Sequence, residues 1–255
     1  MKNNLKKIAV TIPCHNEAVA ISGVVSAFAN AIPEADIFVY DNVSTDGTAE
    51  IAKKSGAIVC TEPNKGKGNV VRRMFADIDA DIYVIVDGDG TYDASKCSEM
   101  IRRLVDNNLD MVTATRKAIN SKDAYRPGHI FGNWVLTRAV SYLFGHGFTD
   151  MLSGYRVMSR RFVKSFPIIS KGFEIETEMT IHALQMRVPY EELETMYDSR
   201  PEGSESKLST FKDGLRILKM IFLLFKEERP FQFFGLFSLF LFMISIILAI
   251  PIFIT

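Results

Sequence analysis

From residue 6 to residue 116 the chain repeats one arrangement: a short apolar run rich in β-branched residues, a polar loop, then a stretch whose apolar positions recur at helical spacing. The apolar runs are "KIAVTIP", "DIFVYD", "AIVCTE", "DIYVIVD" and "DMVTATR", separated by helix-like segments such as "AVAISGVVSAFANAI" and "DASKCSEMIRRLVDNN". This alternation predicts an α/β domain with a mostly parallel sheet covered by helices on both faces, and ligands gathering beyond the carboxyl ends of the strands. The pattern changes near the end of the chain. Phe211, Leu215, Leu218, Phe222 and Phe225 fall on one helical stripe beside Lys212, Arg216, Lys219 and Lys226, as expected of a helix lying at a membrane surface. Residues 231–255 then contain no charged side chain and are long enough to cross the hydrocarbon layer of a bilayer as one helix. The expected organisation is a catalytic domain over residues 1–210, an amphipathic juxtamembrane helix over 211–230 and a transmembrane helix over 231–255.

Charge narrows the partners. Thirty Lys plus Arg balance thirty Asp plus Glu, which leaves no general basic field for nucleic acid. Cys14, Cys60 and Cys97 are odd in number and far apart, a pattern of free thiols in a reducing compartment. The N-terminal "MKNNLKKIAVTIPCHNE" has too short an apolar run before His15 and Glu17 for a cleaved signal, so the chemistry is expected on the cytoplasmic face of a membrane.

Three of the expected strands run into polar or anionic groups: "PCHNE", "DNVSTDG" and "DGDGTYD". In a parallel sheet these converge on one edge. Ser44 and Asp46 fit either a site or a turn and helix cap. Asp87 and Asp89 are more specific, because two carboxylates two residues apart repel unless a cation sits beside them, and Gly88 and Gly90 admit a bulky ligand to the backbone. Hard oxygen donors suit Mg²⁺ or Mn²⁺ held also by water and phosphate, so this turn predicts a metal and diphosphate site. The loop "EPNKGKGNVVRRMF" adds Lys65 and Lys67 among glycines, a weaker sign of nucleotide contact. Neither a Walker A loop nor a complete GxGxxG is present.

Taken in order, "TIPCHNE", "DNVSTDGT", "NKGKGNVVR", "DGDGTYD", "TATRK", "FTDMLSGYRVMSR", "KGFEIETEM" and "SRPEGSESKL" resemble the family 2 glycosyltransferases of GT-A fold, a Rossmann-like class, and in particular the polyprenyl-phosphate glycosyltransferases related to dolichol-phosphate mannose synthase. The resemblance covers about residues 6 to 215. It implies that Pro13, Asn16, Glu17 and Asp41 surround a nucleotide, with Lys67 and Asp87 contributing. It implies that Asp87 and Asp89 are a DXD motif whose Mg²⁺ or Mn²⁺ bridges the diphosphate, Asp89 being the principal ligand. Asp150 falls near the reacting centre, and Arg116 and Arg126 fall where basic residues approach phosphate. Arg200, Ser206 and Lys207 resemble a mobile segment that closes on the diphosphate and the lipid phosphate. Asn42 departs from the usual second Asp, and Gly90-Thr91 from a longer residue followed by Gln or Asn.

The expected reaction is therefore inverting transfer of one sugar from a UDP- or GDP-sugar to undecaprenyl or dolichyl phosphate, by an enzyme in contact with membrane lipid. Two other readings stay open: a processive polysaccharide synthase, although the QxxRW motif is missing, and a nucleotide-sugar-binding membrane regulator without turnover. The sequence also leaves a homo-oligomer open. His15, His129, His146 and His182 lack zinc-site spacing and are expected to be structural, and Trp134 is expected in the core.

Overall fold

The computed structural model describes residues 6–118, 129–145, 147–204, 206–207 and 209–254. In chain order the elements are β1 (Ile8–Cys14), α1 (Ile21–Ala31), β2 (Asp36–Asp41), α2 (Thr48–Lys54), β3 (Ile58–Thr61), α3 (Lys67–Asp77), β4 (Ile82–Ile85), α4 (Cys97–Asp106), β5 (Met111–Ala118), α5 (His129–Phe144), β6 (Arg156–Ser159), α6 (Arg160–Ser165), α7 (Ile175–Gln185), β7 (Tyr190–Tyr197), α8 (Thr210–Glu228) and α9 (Pro230–Ile254).

The strands form a seven-stranded sheet of order β3-β2-β1-β4-β6-β5-β7. β1, β2, β3 and β4 pair in parallel, as do β5 and β7, whereas β6 runs antiparallel to both of its neighbours. Alternation along each strand sends side chains to two cores. On one face Val10, Ile12, Val84 and Val157 meet Ile21, Val25 and Phe28 of α1 and Met100 of α4. On the other, Ala9, Tyr83, Met111 and Met158 meet Val71 and Met74 of α3 and Met179 of α7. Apolar residues at positions 21, 24, 25 and 28 give α1 the single buried stripe that a helix on a sheet requires.

All five expected strands are present, and two more lie beyond residue 116. The stretch read as a loop over 62–75 is mostly helix: only residues up to Gly66 form a turn, and α3 starts at Lys67. Gly66 has φ of 125°, and a Cβ on it would stand 2.1 Å from the Lys171 carbonyl oxygen. The helix start is thus pressed against the loop before α7. Trp134, expected inside, is 59% exposed on α5. His182 packs against the mutually stacked rings of Phe162 and Phe166, and His146 falls outside the described residues.

Helix α8 has two apolar faces. Ile217, Met220, Ile221, Leu224 and Phe225 join the core against α5 and α7, while Leu215, Leu218 and Phe222 are exposed. Phe225, placed on the outer stripe by sequence, points inward. In α9 the segment Pro230–Ile250 has mean hydropathy 2.7 and no share buried, and it is long and apolar enough to cross a membrane.

Candidate active site

The exits of β1 and β2 are tied to each other. Asn16 takes a left-handed backbone at φ 54°; its N–H donates to Ser44 Oγ at 2.9 Å and its Oδ1 accepts from the Thr45 N–H at 2.8 Å. Asp46 accepts from the Thr48 and Ala18 N–H groups, both at 3.0 Å. Ser44 and Asp46 are therefore turn and cap residues here. Between them and β2, Val43 sits at φ 60°, a strained conformation for a β-branched residue. Asn42 spans a gap that an acid could not: its Nδ2 donates to the Glu62 and Asn64 carbonyls at 2.8 and 2.9 Å, and its Oδ1 accepts from the Gly66 N–H at 2.7 Å. A carboxylate has no donor for those two carbonyls. Asp41 accepts from the Ser44 N–H at 3.1 Å, and its buried Oδ1 has no hydrogen-bond partner among the described residues.

Asn42 and the glycine contact set the start of α3, and with it Lys67. The Lys67 ammonium lies between Asp87 and Glu176, paired with both. Burial works against its charge, but the two carboxylates outweigh burial and raise its pKa above the ordinary value. Glu176, at the start of α7, is wholly enclosed, and burial raises its carboxyl pKa despite Lys67. Asp87 follows β4 and rests on Gly154, where a Cβ would come within 2.3 Å of Asp87 Oδ2. Asp89 is 4% exposed. Its Oδ1 accepts from Thr91 Oγ1 at 2.7 Å, and Arg200 Nη2 donates to its Oδ2 at 2.6 Å. Burial first, and then the charge of Asp87, raise the Asp89 pKa, with Arg200 opposing them.

Because β6 is reversed, the segment leading into it arrives at the edge where the parallel strands leave. This brings Asp150 and Gly154 to the site. Asp150 is held by Arg116: Nε donates to Oδ2 and Nη2 to Oδ1, both at 2.7 Å, and Asn133 Nδ2 adds a bond at 3.1 Å. Burial opposes ionisation of Asp150, yet the Arg116 charge and these bonds keep its pKa below the usual carboxylate range. Arg116 also lies 5.5 Å from the Tyr197 ring centre, and Tyr197 meets Tyr92 edge to face. Beneath them the wholly buried Arg156 donates to the carbonyls of Met151 and Glu176 at 2.7 and 3.1 Å, pinning the segment before β6 to α7. Burial lowers its pKa to about 10.

These groups surround one cavity of about 850 Å³. Pro13, Glu17, Lys67, Asp87 and Asp89 line it, as do Arg116, Arg200, Ser206 and Lys207. Asn16, Asp41 and Asp150 stand outside the lining. Asn16 and Asp41 shape the β1 and β2 exits, and Asp150 braces Arg116 from behind. Arg126 falls outside the described residues. Sequence reasoning missed Tyr92, Phe173, Glu176 and Tyr197, which also line the cavity. Glu176 left at most a weak signal, one of three alternating glutamates at a helix start. Tyr197, at the end of an edge strand, left none.

The donor set suits a hard divalent cation. Asp87 and Asp89 face one cavity, and no group of three or more His, Cys, Asp or Glu side chains close enough to hold a metal occurs among the described residues. Two carboxylates with the other positions left to water and phosphate is the usual Mg²⁺ arrangement.

A sheet of this order, with an acidic turn after β4 and basic groups across the cavity, defines a GT-A-type protein. Glucosyl-3-phosphoglycerate synthase from Mycobacterium tuberculosis, solved with Mg²⁺ and uridine diphosphate, shares the fold with TM-score 0.68 at 20% identity, over 88% of this chain and 79% of that one. The chain belongs to the family described as Glycosyl transferase family 2, whose sequence model matches residues 9–166. Glycosyltransferase AglJ of Haloferax volcanii is 34% identical over 229 residues, which is 89% of this chain and 75% of the relative. A Micrococcus luteus protein named undecaprenyl-phosphate mannosyltransferase is 23% identical over 224 residues, 80% of this chain and 88% of its own length.

Proposed function

We propose that this glycosyltransferase moves one sugar from a nucleoside diphosphate sugar to the phosphate of a membrane polyprenol, with inversion at the anomeric carbon, from the cytoplasmic face of a membrane. The observation that carries this reading is the double role of α8. Its Ile217 lines the cavity that holds Asp87 and Asp89, while Leu215, Leu218 and Phe222 face outward and the chain continues directly into the apolar α9. A donor cavity and a membrane-ready surface thus share one helix. Trp134 and Tyr142 on α5, 59% and 86% exposed, are residue types that favour a lipid interface, and α5 packs on α8. The likeness to the Micrococcus luteus protein supports a polyprenyl phosphate acceptor.

In this reading Pro13, Asn16, Glu17 and Asp41 form the nucleotide end, and Lys67 orders Asp87 and Glu176. A Mg²⁺ or Mn²⁺ ion on Asp87 and Asp89 would neutralise charge on the departing diphosphate. Arg116, braced by Asp150, presents its guanidinium to the acceptor phosphate, a task shared with Arg126. Since the acceptor is already an anion, alignment matters more than a strong base. Arg200, Ser206 and Lys207 supply further positive and hydrogen-bonding groups at the diphosphate. The test is turnover by the full chain with polyprenyl phosphate, Mn²⁺ and a panel of UDP- and GDP-sugars, followed by mass analysis of extracted lipid. A lipid heavier by one phosphate-linked sugar is the expected product. Long polymer, or donor binding without product, would replace the reading with a synthase or a regulator.

A further inference from the structure

Asp89 already has a cation, and the chain itself supplies it. Its Oδ1 is taken by the Thr91 N–H at 3.2 Å and the Thr91 hydroxyl at 2.7 Å, its Oδ2 by Arg200 Nη2 at 2.6 Å. The second terminal nitrogen of Arg200 reaches Glu17 Oε1 at 3.4 Å, and Ser204 Oγ donates to Glu17 Oε2 at 3.2 Å. Residues 198–204 lie across this corner as a strap. The Asp198 N–H donates to the Thr91 carbonyl at 2.9 Å, the Ser204 N–H to the Pro201 carbonyl at 3.0 Å, and Pro201 packs beside Gly90 and Ala20.

We propose that Arg200 is the resident counter-cation of the Asp89 subsite, that its guanidinium and a divalent cation are alternative occupants, and that cation entry lifts the 198–204 strap from Asp89 and Glu17. The inference rests on the reading of Asp87 and Asp89 as cation ligands. Thr91 belongs to the same tight turn as Asp89, and its N–H and hydroxyl both hold Oδ1 within that turn. Oδ2, held only by the more exposed Arg200, is the oxygen open to exchange. A divalent ion on Oδ2 would compete with the guanidinium nitrogen now 2.6 Å from the same oxygen, because two positive charges that close repel. One of them leaves.

Lys67 is the poorer candidate to move, since its side chain is 10% exposed and paired with two carboxylates, against 26% for Arg200 on a strap at the cavity rim. An ion arriving with a diphosphate also brings the anionic partner that a displaced Arg200 needs. Until then Arg200 supplies Asp89 with the counter-charge that Lys67 supplies to Asp87.

Mn²⁺ alone, measured by electron paramagnetic resonance on the full chain in detergent, tests the exchange. Arg200→Gln should bind Mn²⁺ at least tenfold more tightly than the parent, because its competitor is gone, and should bind UDP at saturating Mn²⁺ at least tenfold more weakly. Arg200→Lys, which keeps the charge, should fall between them for Mn²⁺. The opposite signs matter: damage to the fold would weaken both, and a pure diphosphate ligand would leave Mn²⁺ affinity unchanged. Either result overturns the exchange. Adding Asp89→Asn to Arg200→Gln should abolish the gain, and a gain that persists would place the ion elsewhere and also overturn it. If neither parent nor variant binds Mn²⁺ even with UDP, the two-carboxylate reading itself fails, whereas Mn²⁺ and UDP binding that Arg200→Gln leaves unaltered removes only the exchange.

Discussion

Asp89 and Asp150 are both buried carboxylates held by an arginine, yet replacing each by Asn should fail in a different way. Asp89→Asn removes one of the two carboxylates proposed to hold the cation, so metal-dependent UDP binding should collapse and transfer fall on the order of a thousandfold. Titration calorimetry of UDP with and without Mn²⁺ checks this, and equal metal dependence in both proteins would refute it. Asp150→Asn leaves the donor end intact but removes the charge that braces Arg116, whose side chain is 7% exposed. Turnover should drop with little change in UDP affinity, and stability should fall by about 3 kcal/mol, the cost of removing one charge from a buried ion pair. The native Asp150 pKa is depressed, so its stabilisation is complete above the unfolded value near about pH 4 and disappears as pH falls through the native value. Denaturant melts of parent and variant should therefore differ fully at pH 7 and converge in acid. At this scale the sequence singled out Asp87 and Asp89 by their chemically odd spacing, and Asp150 only through the family resemblance. It concealed the work of Asn42, which depends on three backbone groups from another loop, and it concealed Tyr197, whose role depends on strand order.

Among the elements, β6 decides how the site is assembled. Its four residues are too few to show periodicity, and they lie within a motif whose polar neighbours read as loop. β7 was hidden for another reason: "YEELETMY" carries three glutamates, the charged dress of an edge strand. By contrast β1 to β5 were legible because their apolar runs are punctuated by helices at regular intervals. The start of α3 at Lys67 was obscured by glycines that sequence rules assign to loops, although Gly66 is required by contact with Lys171. The turn into β6 yields the next prediction. Gly154→Ala would force a methyl group to within 2.3 Å of Asp87 Oδ2, so Asp87 must shift. Mn²⁺-dependent UDP binding should weaken at least tenfold while the circular dichroism spectrum is unchanged, and retained affinity would show that Asp87 has slack.

For the whole molecule, the two apolar faces of α8 allow folding to be tested apart from the proposed membrane attachment. Truncation after Arg229 should leave a folded domain that binds UDP, because α9 adds little to the core and α8 already closes it. Sedimentation with anionic lipid vesicles should show that this truncated domain still associates with them. Adding Leu218→Glu and Phe222→Glu should abolish sedimentation while shifting thermal stability by less than about 0.5 kcal/mol per site, as expected for exposed positions. A large loss of stability would mean that this face packs on protein. The apolar stretch of α9 was the most legible part of the chain, since its length and lack of charge suffice. The inner face of α8 was not, because a helix with apolar residues on two sides reads as one broad stripe.

If the proposed reading holds, a cavity wall on a lipid-facing helix also changes which concentration the enzyme senses. On the proposed reading the donor arrives from three-dimensional solution, but the acceptor arrives by lateral diffusion in a sheet, past a wall that includes Ile217. The relevant acceptor variable is then mole fraction in the surface, not amount per volume. Diluting polyprenyl phosphate with inert lipid at fixed bulk concentration should slow transfer in proportion to surface density, with the apparent KM for the nucleotide sugar unaltered. A rate that ignores surface dilution would mean that the acceptor reaches the cavity from water, and that α8 tethers the enzyme without feeding it.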